Sequence, residues 1–345
     1  MKKIIAISEN KAGVGNYRIV DPIKYLNNNF NTDIEIIFYD DRKLNYDYLS
    51  NFDIIIFQRI EQKSRFDLML KLKQDGKIII QDIDDLLLCL PVNNPHYKSC
   101  NPKTDNYKIH KQSLLLSDYI TTTNKQLIQE TKKFVNISDS KCKVFPNTLD
   151  TKDKRLSNKR HMLPKDKIII GFQGSTSHYY DVDIIIQAVK IVLNKYDNVL
   201  FGFCSNIETF NKFNLDHTKS IYIQPEKEFD NYFYIPSLFD IALTPLEDTR
   251  FNECKSYLKL IEHGVYKVPV IATNIGDFNN INKQYNNSVF LTKNRCDKWV
   301  KSISKLIDDA QLRTEIGSNM YNLLNNGELS IYNISQNRYD FLNSL

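Results

Sequence analysis

The chain has 345 residues, 42% of them hydrophobic and 25% charged, with a formal net charge of +5. That length asks for two domains, and the composition is that of a globular protein with neither a run of roughly 18 apolar residues for a membrane span nor the charge of a dedicated nucleic-acid binder. A local basic patch remains open to nucleotide phosphates or to peripheral association with an anionic membrane surface.

The six cysteines are dispersed and form no CxxC pair. In a chain this long they read as reduced thiols in a cytoplasm, which argues against a disulfide framework and against zinc; no metal is expected. Met1-Lys2-Lys3 leads into Ile4-Ile5-Ala6-Ile7, too short for the apolar core of a signal peptide and better read as a strand.

In chain order, Lys3 to Ser8 is the first buried strand. The loop after it carries Gly13, Gly15 and Arg18, and a helix pattern runs from about Val20 to Leu26. Strand, glycine loop and helix can cradle a phosphate, because glycine lets backbone N–H groups come close. The third glycine and the downstream acid of a dinucleotide fingerprint are missing, so NAD is not supported; a tight turn without ligand is the alternative. Further strands are expected at Ile34–Phe38, Asp53–Phe57, Lys77–Gln81, Tyr119–Thr123 and Lys143–Phe145, with helices at Ser64–Lys73 and Lys125–Phe134 between them. This alternation predicts a doubly wound parallel sheet, in which ligands sit outside the carboxyl ends of the strands. The loops to watch are Gln58-Arg59, Asp82 to Asp85, Thr123-Asn124 and Pro146-Asn147. The acidic run admits three readings. Asp82 and Asp84 could hold a divalent ion, Asp84 or Asp85 could act as a general base on an acceptor hydroxyl, or the run could cap a helix near Leu86 to Leu88.

Residues 151–167 are polar and basic without apolar period and read as a linker between domain 1–150 and domain 168–327. The second domain alternates again. Ile168–Phe172 is a strand whose loop offers Gly174, Ser175, Thr176 and Ser177, small residues and hydroxyls suited to a pyrophosphate. His178 follows, either polarising a phosphate oxygen or packing beside Tyr179 and Tyr180. A helix at Asp183–Asn194 and strands at Val199–Cys204, Ser220–Ile223 and Phe239–Thr244 come next.

Between that last strand and Val268–Thr273 lies a helical pattern opening at Asn252, its expected N-cap, and ending near Gly264. Lys255, Lys259 and Glu262 fall at i, i+4 and i+7 on one face. A lysine in a first turn costs roughly 0.3–1 kcal/mol against the helix dipole, which suggests an anion beside it. The alternative is a solvated face. Asn274 and Gly276 mark another strand-end loop, and residues 328–345 form a helical tail able to pack back on the first domain.

Several stretches together resemble a GT-B glycosyltransferase, closest to the family 4 type of retaining nucleotide-sugar transferases. They are Gly13-Val14-Gly15 with Tyr17-Arg18 and Pro22, Ser117 to Thr123, Lys143 to Asn147 with Asp150, and Gly171 with Gly174-Ser175. Phe239 to Leu246, Lys255-Ser256, Lys259, Glu262, Pro269 to Thr273, Asp297-Lys298-Trp299 and Arg313 to Gly317 complete the likeness.

The resemblance implies an α/β GT-B architecture, two Rossmann-like domains facing an interdomain cleft. A UDP- or GDP-linked sugar would be held mainly by the C-terminal domain and the acceptor by the N-terminal one, without an obligatory metal or cofactor. Family members carry two glutamates eight positions apart; Glu262 matches the second, which contacts ribose, and Cys254 stands in place of the first. The usual Arg and Lys of the loop after the first strand of the second domain are replaced by Gly174 to Ser177. Lys255 and Lys259 are then expected to supply the phosphate charge, with Arg18 contributing, and Asn252, Ser256, Asn274 and Gly276 to line the donor. The expected activity is transfer of a sugar to a glycan, glycolipid or glycoprotein; the alternatives are a non-catalytic sugar- or partner-binding subunit, an epimerase or a polyol-phosphate transferase on the same scaffold.

Overall fold

The computed structural model describes all residues except Met1, Lys11, Ala12, residues 158–162, Lys165, Lys227 and Glu228. The middle of the expected linker therefore lies outside the described residues. The chain divides into two compact units: unit 1 holds 1–148, Cys254–Ser256 and Ile331–Leu345, and unit 2 holds Leu149–Glu253 and Tyr257–Ser330.

Unit 1 is built on a six-stranded parallel sheet: β1 (Ile4–Ser8), β2 (Ile34–Phe38), β3 (Ile54–Gln58), β4 (Ile78–Ile83), β5 (Tyr119–Thr122) and β6 (Cys142–Val144), in the order β2-β1-β3-β4-β5-β6. Unit 2 repeats the plan with β7 (Ile168–Gln173), β8 (Val199–Cys204), β9 (Ser220–Tyr222), β10 (Ile241–Thr244), β11 (Val270–Thr273) and β12 (Phe290–Thr292), in the order β12-β11-β10-β7-β8-β9. The strands read as continuous Ile/Val/Phe runs because helices cover both faces of such sheets.

Register is fixed by one device used in both units. An aspartate just before a strand accepts a backbone N–H from the neighbouring strand: Asp53 from Lys3 (2.8 Å), Asp118 from Ile79 (2.9 Å) and Asp240 from Ile169 (2.8 Å). Each satisfies a donor that the ladder has not yet reached.

The last helix, Ile331–Asn343, belongs to unit 1, where the Phe341 ring lies 5.2 Å from Tyr119 and 5.7 Å from Phe145. The elements with no counterpart in the sequence reading include the helix Asp105–Leu116 and the short edge strand β12, besides the helices Tyr46–Leu49, Ile207–Asn211 and Gly276–Gln284. The helix Asp105–Leu116 spreads its apolar residues around its axis; β12 is three residues long.

The helix expected from Asn252 is two short ones, Arg250–Glu253 and Leu258–Gly264. Asn252 caps nothing: it sits inside the first piece, buried, with its amide given to Asp181 (2.9 Å) and the Glu247 carbonyl (3.0 Å). The break at 254–256 has visible causes. The Asn124 amide donates to the Cys254 carbonyl (3.0 Å) and the Asn147 amide to Ser256 Oγ (2.9 Å), partners a continuous helix could not meet. Lys255 therefore lies in the irregular break between the two pieces and not in the first turn of a helix.

In unit 2, Gly171 of β7 and Gly202 of β8 are register partners and form a floor under the Phe239 ring. A Cβ on Gly171 would fall 2.1 Å from Phe239 Cδ1, and one on Gly202 2.9 Å from Cε1. Overpacking of this kind costs about 1–3 kcal/mol. Gly171→Ala is expected to lower the urea midpoint more than Gly202→Ala does, and adding Phe239→Leu should recover part of the loss. Equal and negligible shifts for both alanines would disprove the packing role.

Candidate functional site

The carboxyl ends of the unit 2 strands are laced together by side chains. Asp181, 4% exposed, accepts from the Glu247 backbone N–H (2.7 Å) and the Asn252 amide (2.9 Å) through Oδ1, while Oδ2 pairs with His178 Nδ1 at 2.8 Å. One carboxylate thus joins the loop after β7 to the segment after β10. Beyond it, Thr273 Oγ1 accepts from the Leu246 N–H (3.0 Å) and donates to Asn294 Oδ1 (2.9 Å), and the Asn294 amide donates to the Leu246 carbonyl (2.8 Å). The ends of β10, β11 and β12 are tied in turn. Such a surface is preorganised: its dipoles are held before any ligand arrives.

The expected pyrophosphate loop stands at this edge. Ser175, Thr176 and Ser177 are exposed, Thr176–His178 form one turn of 3₁₀ helix, and Ser175 Oγ and Ser177 Oγ are 2.6 Å apart. Gly174 is required by contact, since a Cβ there would lie 2.9 Å from the Phe172 ring and 3.1 Å from the His178 ring. Asn274 is exposed after β11, and Gly276 opens the helix Gly276–Gln284 at φ +47°, where a Cβ would strike the Glu253 carbonyl at 2.3 Å.

Lys259 and Glu262, on the helix Leu258–Gly264, meet each other at 2.7 Å. Lys259 Nζ also donates to Tyr232 Oη (2.9 Å), and Gln173, the last residue of β7, donates its amide to Glu262 Oε2 (3.1 Å). Burial alone would lower the Lys259 pKa, but Glu262 and Tyr232 outweigh it and hold the ammonium charged, above its ordinary value. Two of its three N–H donors are placed among the described residues, which leaves the third for a ligand oxygen. Gln173 Oε1 and Ser205 Oγ, at the ends of β7 and β8, are buried with no hydrogen-bond partner among the described residues. Buried polar atoms without partners are rare and point to a ligand or water that completes them.

The unit 1 residues are arranged differently. Arg18 is fully buried: its guanidinium forms a fork with Asp82 (2.9 and 2.7 Å) and donates to the Phe145 carbonyl (2.6 Å) and to Asn147 (3.1 Å). This corrects its expected place beside a phosphate. Asp82, which also accepts from Thr121 Oγ1 (2.6 Å), is the inner member of that buried pair and not an ion ligand. Asp84 accepts two hydrogen bonds from Arg59 (2.9 and 2.6 Å), and Asp85 lies 3.5 Å from the same guanidinium. Burial pushes the Asp84 carboxyl up to about 6 against the pull of Arg59. Arg59 holds this position from a backbone φ of +52°, unusual for a residue with a Cβ. The expected cap is absent as well, for the 3₁₀ turn Leu87–Cys89 starts from Leu86 without a side-chain cap.

Lys255 Nζ is 3.9 Å from Asp85, and its segment, with Ser256, belongs to unit 1; Lys259 and Glu262 belong to unit 2. The common helix face expected for the three is not formed. Gly15 packs where a Cβ would fall 2.2 Å from the Asn10 carbonyl, so the β1 loop folds back on itself, while Gly13 is exposed at φ +48°. Sequence reasoning missed Asp181, Gln173, Ser205 and Tyr232 as site residues and marked Arg59 only as part of a strand-end loop. For Gln173, Ser205 and Arg59 the signal is position at a strand end and for Asp181 one turn after His178; Tyr232, at the end of the helix Phe229–Tyr232, has none.

No family model matches the chain. Over 173 residues it is 25% identical to the capsular polysaccharide biosynthesis glycosyltransferase CapM of Staphylococcus aureus, a stretch covering 48% of this chain and 44% of that protein. The chain thus spans less than half the length of that relative. Solved structures align over the whole chain. Anabaena HepE in complex with UDP-glucose aligns with a TM-score of 0.69 at 13% identity over 100% of both chains. The E. coli trehalose-6-phosphate structure bound with UDP-2-fluoro glucose aligns at 0.69 and 11% identity over 99% of both. The fold is that of the GT-B proteins. Its two Rossmann-like units match the α/β expectation, with a six-stranded parallel sheet in each. Among the described residues no helix is long and apolar enough to cross a membrane.

His263 tests how dry the helix carrying Lys259 and Glu262 is. It is buried, Nδ1 lies 2.8 Å from the Lys259 carbonyl, and Nε2 has no partner among the described residues. Burial pushes its pKa down to about 4 from an ordinary 6.5. The unfolded chain therefore binds the proton first, so stability is complete above pH 6.5 and falls as pH drops toward 4. Unfolding free energy measured by urea at pH 7 and pH 5 should fall by about 2 kcal/mol less in His263→Asn than in the wild type. Identical pH dependence in the two would show that the imidazole is solvated.

Proposed function

We propose that this protein is a glycosyltransferase that moves a sugar from a nucleoside-diphosphate donor to a glycan, glycolipid or glycoprotein acceptor. The observation that carries the proposal is the laced strand-end surface of unit 2, where fixed donors and one buried carboxylate converge at the place a doubly wound sheet binds its ligands. A UDP-linked donor is favoured by the structural neighbours, whose complexes hold UDP-glucose and UDP-2-fluoro glucose. The sequence relative with a role in capsular polysaccharide synthesis favours a surface glycan as product.

The leaving group is a nucleoside diphosphate, and the charge that grows on it is what the protein must stabilise. The exposed hydroxyls of Ser175, Thr176 and Ser177, with His178 held by Asp181, face that charge, and the third Lys259 donor reaches one of its oxygens. Glu262, fixed by Lys259 and Gln173, takes the ribose hydroxyls. Gln173 Oε1 and Ser205 Oγ are completed by the nucleoside. Asn274 and Gly276 line the sugar side. Transfer proceeds with retention and without an obligatory metal, so no protein base is required.

Nucleoside diphosphate release from a panel of UDP- and GDP-sugars, with and without glycan acceptors, tests this. Turnover is expected with a UDP-sugar, and Lys259→Ala should lower kcat/KM for the donor about a hundredfold, roughly 3 kcal/mol of transition-state stabilisation. Asp181→Asn should lower kcat by a similar factor while leaving Asp84→Asn turnover as a separate, acceptor-side effect. Donor binding without turnover for every acceptor would replace the proposal with a sugar-binding subunit, and conversion of the donor sugar without transfer would replace it with an epimerase.

A further inference from the structure

The long connection between β4 and the helix Asp105–Leu116 has only two 3₁₀ turns of its own, Leu87–Cys89 and Pro95–Lys98. Connections of this length in a compact domain call for an anchor. The anchor is a cluster of three unlike donors outside the surface described above. Glu61 Oε2 lies 2.7 Å from His96 Nε2, and with Cys100 Sγ the three atoms lie within 4.8 Å of one another. Glu61 follows the end of β3; His96 and Cys100 come from the connection itself.

Local geometry aims the second pair. Both the Ser99 and Cys100 N–H groups donate to the His96 carbonyl (3.1 and 3.0 Å), which closes an α-type turn and sets side chains 96 and 100 on one side. Cys100 is fully buried, and its thiol makes only a weak 3.9 Å contact with the Leu87 carbonyl. The Glu61 side chain is 11% exposed and that of His96 is 40% exposed, so the cluster has a dry floor and one open side. The neighbouring Arg59 would repel a cation, but its charge is met by Asp84 at 2.6 Å and by Asp85 and Glu9 at 3.5 Å.

We propose that Glu61, His96 and Cys100 bind one zinc-class divalent ion, which clips the connection 84–104 to the end of β3. One carboxylate oxygen, one imidazole nitrogen and one sulfur form a borderline donor set that suits zinc or cobalt and disfavours magnesium or calcium. Around a tetrahedral ion such atoms stand about 3.3–3.7 Å apart, so binding requires the Glu61–His96 contact to open and Cys100 to close in by about 1 Å. The fourth position, on the open side, takes water. Binding displaces the thiol proton of Cys100, together with the proton shared by Glu61 and His96 where the imidazole carries two. A clip across a long connection stabilises the fold by removing loop freedom from the unfolded chain.

The full chain, stripped by chelator and dialysed, is titrated with zinc by calorimetry and with cobalt(II) by absorption. One equivalent is expected, with a thiolate-to-cobalt charge-transfer band, tetrahedral d–d bands, proton release and a rise in Tm. Cys100→Ala should abolish the charge-transfer band, and His96→Gln, at a partly exposed position, should weaken zinc binding more than tenfold while circular dichroism stays unchanged. Cys296→Ala should leave both signals intact. Absence of stoichiometric binding, a cobalt spectrum lacking the sulfur band, or equal zinc affinity in the wild type and His96→Gln would each overturn the site.

Discussion

One buried carboxylate holds the functional edge of unit 2 in shape. Asp181 is nearly without solvent, and an isolated charge there would be untenable. It persists because an imidazole, a backbone N–H and a side-chain amide converge on its two oxygens, from its own loop and from the segment after β10. Hydrogen bonds to an ionised acceptor are about twice as strong as neutral ones, and they lose little to water where water is excluded. The same bonds fix where Glu247 leaves the β10 end and draw Asn252 inward. The inward turn of Asn252, the aim of His178 and the placing of the Ser175–Ser177 loop all follow from satisfying one aspartate.

Unit 1 solves a similar problem with less balance. Asp82 is bound by Arg18, yet a second guanidinium, Arg338 of the last helix, is also buried beside Arg18 and above the Phe145 ring at 4.8 Å. Burial and the nearby Arg18 push its pKa down to about 10, and its Nε has no partner among the described residues. Two cations share one anion in a dry place. The last helix is held on unit 1 chiefly by the apolar contacts of Phe341 and Leu342.

What could be read in the sequence was periodic. Both sheets were legible in the alternation of Ile/Val/Phe runs with helical patterns, because a strand buried on two faces leaves a short, β-branched and aromatic apolar run bounded by loops. The strand-end loops of Gly174 to Ser177, Asn274 and Gly276 were legible for the same reason, since they lie where those runs stop. Long-range pairing was not. Arg18 reads as a cation near a glycine loop, but whether its side chain turns outward or toward Asp82 is decided by a residue 64 positions away. The helix at 250–264 has an unbroken apolar period, and only the Asn124 and Asn147 amides, arriving from distant loops, interrupt it. Asp181 and Gln173 carried no signal because one more Asp after His178, or one more Gln at a strand end, is ordinary until its partners are known.

The separation of Lys255 from Lys259 changes the electrostatics expected of the donor site. The sequence suggested an anion beside a first-turn Lys255; the residue the structure puts in a first turn is Lys259, and its anion is the protein's own Glu262. As a pair they are neutral, so they offer a diphosphate one directed N–H and no net charge. Lys255 is likewise met in part by Asp85. Under the proposed function, a leaving group with two or more negative charges meets oriented dipoles here, the hydroxyls at the β7 end, beside the one directed Lys259 N–H. Dipoles held in place by Asp181 need no reorganisation when the glycosidic bond breaks, whereas a flexible lysine must be ordered as the charge appears. Under the proposed function, that difference favours the serines and threonine of the β7-end loop as groups that meet the leaving charge.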